Sequence, residues 1–407
     1  MSVEVRCVDD AEVSAWLESM YRGFLDHAPA GIDRVLRPEM DLSRTWAAFD
    51  GGSIVGTLRS FPTTVAVPGG SEVWACALTN VTVATTHRRR GLLSDMLTRD
   101  LAAATEREEP VGILIASEYP IYGRFGYGPA AEGARYRVET AGLGFRDEAT
   151  QTVEHVDNAA LRRLAPGVYE QFRRTRPGSI QRTDLWWDRT LEQIAVPGAD
   201  PWRGMQVVAR DDTGAVGGYL RYHVDRRWDQ MNPRCVVHVD ELMAVTDAAY
   251  RDLWRFACDV DLAVAVEAAE RCVDEPLGWL VDDARAVRQS ARYDFLWCRV
   301  LDTAAALGSR RYSCEGRVVF DVVDDAGFAA GRYELDGGPD GARCRRAPAA
   351  SAGLTIPVDV LGALWMGGVS PVTLAAAGRV DVHDGTALDT AQAMFPAAPL
   401  PWCSTWF

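Results

Sequence analysis

Lysine is missing from this chain: all 43 of its basic residues are arginine. Genomic base content alone would produce such a bias, yet it has a chemical consequence, because the protein offers no side-chain amine to acylate. Paired cysteines are missing too. The nine cysteines are odd in number and scattered, with no Cys-x-x-Cys. That argues against a disulfide framework and fits free thiols in a reducing compartment. The six histidines are isolated, without metal-ligand spacing to cysteines or acids, so no structural metal is expected. Positive charge is in deficit. A formal net charge of −14 argues against nucleic acid as a partner, since phosphate binding needs a basic surface. No run approaches the roughly 20 apolar residues of a membrane span, and residues 1–10 carry acids in place of an apolar signal core. The expected location is cytoplasmic.

At 407 residues the chain exceeds what one core supports, and two or three domains are expected. Its negative field suits a cationic substrate, although keeping the protein soluble is sufficient reason for such a charge. Residues 1–145 alternate strand and helix signals. Strands are predicted at 3–8, 45–50, 53–67, 73–84, 111–116 and 135–139, with a Gly51-Gly52 turn joining the second to the third. Val13, Leu17, Tyr21 and Phe24 recur at helical spacing within 11–25, as do Leu93, Leu97, Leu101 and Ala104 within 90–107. A short helix or turn fits 119–125. This is an α/β sandwich on one mixed sheet.

Residues 146–295 repeat the grammar imperfectly. A hairpin (205–210 and 217–224, across Asp211-Asp212-Thr213-Gly214) precedes a strand at 236–245, a helix at 248–260 and a strand at 262–268. The order fits a degenerate copy of the first unit, or common α/β grammar without duplication. The turn after Val245 has no glycine and no arginine cluster, so a second copy would keep the sheet and lose any phosphate cradle. Residues 296–407 change character. Strands are predicted at 316–324 and 331–335, a Gly/Asp turn at 336–342, short helices at 358–365, 371–377 and 387–395, and an extended Pro/Ala stretch at 396–401. The chain closes with Trp402-Cys403-Ser404-Thr405-Trp406-Phe407. Termini normally fray into water, so this apolar ending predicts a buried tail with its carboxylate carried inside, or a cap over a groove or subunit contact.

The most informative segment runs from Val81-Thr82-Val83 through His87-Arg88-Arg89-Arg90-Gly91 to Leu92-Leu93-Ser94. A β-branched run ends, a glycine follows three arginines, and a helix begins. Helix-start N–H groups lack internal partners and sit at the positive end of the dipole, so an anion docks there. Gly91 permits close approach of the main chain, and the arginines add charge. A second segment, Ser117-Glu118-Tyr119-Pro120-Ile121-Tyr122-Gly123-Arg124-Phe125-Gly126-Tyr127-Gly128, follows the 111–116 strand.

Together these segments resemble the GNAT acyl-CoA N-acetyltransferases, whose cradle reads Arg-x-x-Gly-x-Gly/Ala and whose tyrosine beyond the next strand reaches the thioester sulfur. Leu93 stands here where a small residue is usual. The two strings, the degenerate second unit, the length and the C-terminal phenylalanine are similar to the enhanced intracellular survival (Eis) family of multi-site N-acetyltransferases. The resemblance implies an α/β (α+β) fold in three parts: a GNAT domain over 1–145 with the acetyl-CoA site, a GNAT-like domain over 146–295 without cofactor, and a sterol-carrier-protein-like α/β domain over 296–407. It also implies a ring-like homo-hexamer.

Carried over to this chain, the edge of Val81, Thr82 and Val83 pairs with the pantetheine amides as another strand would. Arg89, Arg90, Gly91, Leu92, Leu93 and Ser94 surround the pyrophosphate, with Arg88 close by. Ser117 and Glu118 line the pantetheine arm. Tyr122 gives a proton to the leaving thiolate, and the Phe407 carboxylate is the general base, with no cysteine intermediate. A Val83 N–H in oxyanion-hole fashion would polarise the acetyl carbonyl. The implied substrates are primary amines of polycationic small molecules such as aminoglycosides, with Phe24, Asp26 and Trp406 as pocket residues. Trp406 stands where aminoglycoside-acetylating relatives carry an acid, and Ile115 where a histidine is expected; both make the pocket less polar. Two other functions are compatible: a protein-lysine acetyltransferase, and a non-catalytic lipid- or CoA-binding protein.

Overall fold

Alternating apolar and polar residues between Thr45 and Val83 fold as a meander, and the first unit is built around it. In the computed structural model, which describes residues 3–407, this unit comprises β1 (Glu4–Cys7), α1 (Val13–Gly23), α2 (Ile32–Leu36), β2 (Thr45–Asp50), β3 (Ser53–Ala66), β4 (Glu72–Val83), α3 (Leu92–Glu106), β5 (Val111–Ile115), α4 (Tyr119–Tyr122) and β6 (Gly128–Glu139). α3 buries Leu92, Met96, Leu97, Leu101 and Ala104 against Cys76 and Leu78 of β4 and Leu114 of β5. The intervening β4 residues, Ala75 and Ala77, join a different core on the other face, as period-2 alternation requires.

The second unit comprises β7 (Thr152–His155), α5 (Asn158–Arg173), α6 (Asp184–Thr190), β8 (Met205–Arg210), β9 (Val216–Asp225), the small ribbon β10 (Trp228–Asp229) and β11 (Asn232–Pro233), β12 (Cys235–Ala244), α7 (Asp247–Cys258), β13 (Ala263–Arg271), α8 (Leu277–Leu280) and β14 (Val287–Val300). The predicted hairpin–strand–helix–strand order is present as β8, β9, β12, α7 and β13. The opening β7, α5 and α6 were not part of the sequence expectation, and β6 begins seven residues earlier than the predicted 135.

The two units do not sit side by side as separate sheets. One 12-stranded sheet runs β1-β2-β3-β4-β5-β14-β6-β13-β12-β9-β8-β7. β14, last strand of the second unit, pairs with β5 of the first, while β6 of the first pairs with β13 of the second. Each unit lends its final strand to the other, so neither closes its sheet alone.

The third unit contains α9 (Thr303–Gly308), β15 (Gly316–Val323), β16 (Gly331–Gly338), β17 (Gly341–Arg346), β18 (Leu354–Pro357), α10 (Val358–Trp365), α11 (Pro371–Ala376), β19 (Asp381–Val382) and α12 (Gly385–Met394). Its sheet runs β17-β16-β15-β18-β19. The predicted 336–342 turn is a correction: β16 continues to Gly338 and the unpredicted β17 starts at Gly341, so the reversal is only Pro339-Asp340. Glycine and acid residues there pair as a hairpin. α10 lies on β6 and β14 through bare backbone. A Cβ at Gly128 would fall 1.8 Å from the Asp359 carbonyl oxygen, and one at Gly362 would fall 2.1 Å from that of Cys298.

The tail then returns along the second unit. Residues 396–401 are not uniformly extended as predicted; the chain bends at Ala398-Pro399. Arg176 donates to the Leu400 carbonyl at 2.8 Å, and Asp274 accepts from the Leu400 N–H at 2.9 Å. Trp402 N–H reaches the Pro177 carbonyl at 2.8 Å. Arg182, wholly buried, donates from Nε to Thr405 Oγ1 at 2.9 Å, to the Ser404 carbonyl at 3.2 Å and to Glu241 at 2.7 Å. Its guanidinium lies over the rings of Tyr169 and Trp186, 3.8 and 3.9 Å from their centroids. Trp402, Cys403 and Thr405 are buried; Trp406 is 62% exposed, which corrects the expectation of a wholly sunken tail.

Removing one partner of a buried ion pair leaves the other charge unpaired, at about 3–5 kcal/mol. Arg182→Met is therefore expected to lower the melting temperature, and to speed carboxypeptidase release of Phe407 and Trp406. Digestion at the wild-type rate would show that the tail is held without this arginine.

Candidate active site

β4 and β5 start as a parallel pair and then part. Their register ends at Leu78↔Leu114, while β4 continues to Val83. From Thr79 onward the β5-side edge of β4 faces a gap. The strand bends there because it carries one residue more than β3: Thr57 faces Thr82 but Arg59 faces Thr79. The extra residue is absorbed by Asn80 at φ 55°, a β-bulge. Thr57 Oγ1 fixes it, donating to the Asn80 carbonyl at 2.9 Å and lying 2.7 Å from Thr82 Oγ1. Val81, Thr82 and Val83 thus lie on an open edge.

The chain next makes one short 3₁₀ turn, Thr85–His87, and enters α3. His87 ties that turn to the β2–β3 hairpin, Nε2 lying 3.0 Å from Asp50 Oδ2. The hydrogen bond from His87 holds the Asp50 carboxyl below its usual range. Arg89 (φ 64°) and Gly91 (φ 79°) take left-handed backbone. Gly91 is the N-cap, and no side chain caps α3. The N–H groups of Leu92, Leu93 and Ser94 therefore have no intrahelical acceptor. A Cβ at Gly91 would meet nothing within 4 Å. Arg88, Arg89 and Arg90 are exposed, and among the described residues none of the three has an ion-pair partner. Uncapped amides, open space and three unpaired guanidiniums form a cradle for an anion with more than one negative charge.

The corresponding helix of the second unit is different. α7 starts at Thr246, whose side chain accepts from the Ala249 N–H and so occupies the helix start. The expected loss of the cradle there has this physical form.

Beyond β5, Ser117 and Glu118 are exposed at the strand end, and α4 carries Tyr122 back into the α3-side core. Tyr122 is 7% exposed and packs edge-on to Tyr127, ring centroids 6.2 Å apart. Burial, and then the charge of Glu118, push its hydroxyl up to about 12. It is a phenol that keeps its proton.

Phe407 packs on the opposite face. It belongs to the core beneath Ala75 and Ala77, and its ring meets that of Phe61 on β3 edge-on at 5.8 Å. Tyr122 and Phe407 therefore pack on opposite faces of the sheet that contains β4 and β5. Phe24 and Asp26 follow α1, both exposed. α1 ends on β4 itself, since a Cβ at Gly23 would fall 2.4 Å from Thr82 Cβ. That contact carries the Phe24–Asp26 loop to the bulge. Trp406 projects outward, its ring 5.5 Å from Phe295.

Sequence reasoning missed Arg182, Glu241 and Glu270, which gather around the tail. Glu241 pairs with Arg182 and accepts from the Tyr219 hydroxyl at 2.8 Å. Glu270 takes φ 54° where the β13–β6 register shifts. Its N–H is held by Tyr293 Oη at 3.1 Å and its carbonyl by the Trp402 indole at 3.1 Å. Desolvation raises its carboxyl above the usual range, with Arg135 opposing and Glu241 reinforcing. No local motif marks these residues; only the fold brings them to the chain end.

Comparison with known proteins agrees with this fold. The acetyltransferase (GNAT) domain family matches residues 4–130, a second acetyltransferase (GNAT) domain matches 178–300, and the sterol carrier protein domain matches 303–404. An uncharacterised N-acetyltransferase of Streptomyces avermitilis is 38% identical over 415 residues, covering 100% of this chain and 99% of its own length. N-acetyltransferase Eis of Mycobacterium bovis is 34% identical over 358 residues, covering 85% of this chain and 84% of its own. The crystal structure of Eis1 from Mycobacterium abscessus superposes with a TM-score of 0.87 at 32% identity, covering 99% of this chain and 100% of its own. A GCN5-related N-acetyltransferase from Anabaena variabilis shares the fold, with a TM-score of 0.85 at 17% identity and full coverage of both chains. The chain belongs to the Eis-type N-acetyltransferases, enzymes of the GNAT class with two GNAT domains followed by a sterol-carrier domain.

Proposed function

We propose that this acetyltransferase moves the acetyl group of acetyl-CoA onto primary amines of polycationic small molecules, aminoglycosides among them, by direct attack. The observation that carries the reading is the uncapped start of α3 beside the open edge of β4. The Leu92, Leu93 and Ser94 amides with Arg88, Arg89 and Arg90 hold the pyrophosphate. Val81, Thr82 and Val83 pair with the pantetheine amides, and Ser117 and Glu118 line the same arm. The domain limits 1–145, 146–295 and 296–407 go with this assignment of roles. Acetyl-CoA, when bound, supplies an activated acyl carbon.

The amine nitrogen bonds to that carbon as the carbon–sulfur bond breaks, and the electron pair leaves on sulfur. Tyr122 donates a hydrogen bond to the leaving thiolate. A phenol lifted to about 12 stays protonated throughout the working range and needs only to stabilise an anion that is itself weakly basic. The nucleophile is the neutral amine. An alkyl ammonium has a pKa of about 10 and a terminal carboxyl about 3.5, a gap of about 9 kcal/mol in water. The Phe407 carboxylate therefore orients the ammonium and takes the proton released on attack, directly or through water. Val83 N–H polarises the acetyl oxygen.

A polycation is supported by the net charge of −14, by Asp26 on the loop that Gly23 seats against Thr82, and by Glu270 beside the tail. Phe24 and Trp406 supply aromatic faces for ammonium groups. The exposed Trp406, with no acid in its place, favours a second reading in which other amines, protein lysines included, are accepted. Thiol release with a kanamycin-like amine against a lysine peptide decides between them. The reading includes a cytoplasmic homo-hexamer; light scattering of the purified protein tests the assembly.

Tyr122→Phe is expected to lower kcat about 100-fold or more while acetyl-CoA affinity changes little. Because Tyr122 loses its proton only near pH 12, its ionisation contributes no fall in kcat between pH 7 and 10. Wild-type turnover in the variant would remove it from the reaction. Conversion of the Phe407 carboxylate to a carboxamide, or extension by two residues, is expected to abolish turnover without a change in melting temperature; full activity in either would exclude the carboxylate. Gly91→Ala forces about 1–2 kcal/mol of left-handed strain and should weaken acetyl-CoA binding about tenfold by calorimetry.

A further inference from the structure

A cavity of about 640 Å³ lies where the α4 turn, strands β6 and β14, and the third domain meet. It is not the site described above. β14 and β6 lie beyond β5 from the β4–β5 gap, and none of the residues 79–94, 117, 118 or 122 lines it. Tyr119 and Trp297 form one wall, Ala130 and Ala131 the floor, and Val360 and Ala363 of α10 the roof. The Tyr119 and Trp297 rings stand edge to face with centroids 4.9 Å apart. The volume falls in the range of small-molecule sites, about 300–1,000 Å³.

Its charges do not cancel. Glu132 is paired with Arg292, and Asp359 with Arg379 at 2.6 Å. Among the described residues Asp294 has no ion-pair partner, and its carboxylate accepts one hydrogen bond, from the Trp297 indole N–H at 2.7 Å. The lining thus holds three carboxylates and two guanidiniums, with the uncompensated carboxylate fixed against an aromatic wall. Aromatic faces and an unpaired carboxylate both attract a cation, and the apolar roof and floor reward an apolar body. An anion would face Asp294, and a polycation would find a single unmatched acid. The geometry points to a second ligand site, for a singly charged cation on an apolar frame such as an aromatic or branched alkyl ammonium.

Benzyltrimethylammonium tests this directly, because it carries the charge and the apolar ring yet has no N–H to acetylate. Titration calorimetry on the full-length protein is expected to show one saturable site. Asp294→Asn keeps the shape and can still accept from the Trp297 indole, and should weaken binding about tenfold. Ala363→Trp fills the roof and should abolish it, and Leu374→Trp, from α11 on the same lining, serves the same end where the first variant misfolds. All three should turn over amine substrates as the wild type does in the absence of the probe. No saturation at 10 mM probe, or an affinity indifferent to Asp294→Asn and to the filling variant, would overturn the proposal. So would displacement of the probe by an amine substrate with no response to these variants.

Discussion

The unsatisfied amides at the start of α3 are the constraint on which this molecule is arranged. A helix is ordinarily stabilised by about 1 kcal/mol when a serine, threonine or aspartate occupies its N-cap, and among the described residues eight do that elsewhere: Asp157, Thr183, Thr246, Asp302, Ser370 and Asp384 cap α-helices, and Asp41 and Asp283 cap 3₁₀ turns. At α3 a glycine in left-handed backbone stands instead, with three unpaired arginines before it. Left alone, that arrangement concentrates positive charge and forgoes a cap. It becomes favourable when a doubly charged anion sits on it. Everything around it fits: the His87–Asp50 contact fixes the turn, and the Asn80 bulge swings β4 away from β5 so that an extended ligand arm can follow the strand edge.

The second unit has a sheet of the same kind but a capped helix at the corresponding place. Thr246 stands at that helix start, and its hydroxyl accepts from the Ala249 N–H. The unit also serves as a scaffold. It lends β14 to the first unit's sheet, directly beside β5, and it binds the C-terminal tail along its length through Arg176, Asp274, Pro177 and Arg182. The Arg182 guanidinium, enclosed by Tyr169 and Trp186 and tied to Glu241, Ser404 and Thr405, sets where the last two residues emerge. The third domain closes the arrangement from below, its α10 seated on β6 and β14 through glycines at 128 and 362 that leave no room for a side chain.

Local signals in the sequence were sufficient for what is local. The strands of the meander, the helix after Gly91, the α7 strand–helix–strand segment and the three short helices near the C-terminus follow from alternation, periodicity and turn residues. The residues of the proposed cradle were legible because glycine, arginine cluster and helix start are contiguous. What escaped was non-local. Nothing near residue 295 indicates that β14 inserts beside β5, because strand exchange is decided by pairing partners far away in the chain. Residues 336–342 read as a turn because glycine and aspartate dominate there, but cross-strand pairing overrode that composition. Trp406 looked buried by its side chain alone; the strand-like alternation of the tail sends it outward between buried Thr405 and half-buried Phe407. Arg182 and Glu270 acquire meaning only where the fold places them, beside a tail more than 100 residues later in the chain.

Hydrogen–deuterium exchange across the whole chain, with and without acetyl-CoA, tests the central claim most directly. Protection should appear at the amides of Leu92, Leu93 and Ser94 and along Thr79–Val83, and should be absent at the start of α7, where Thr246 already satisfies the helix. Unchanged exchange at α3, or equal protection at both helix starts, would contradict the account.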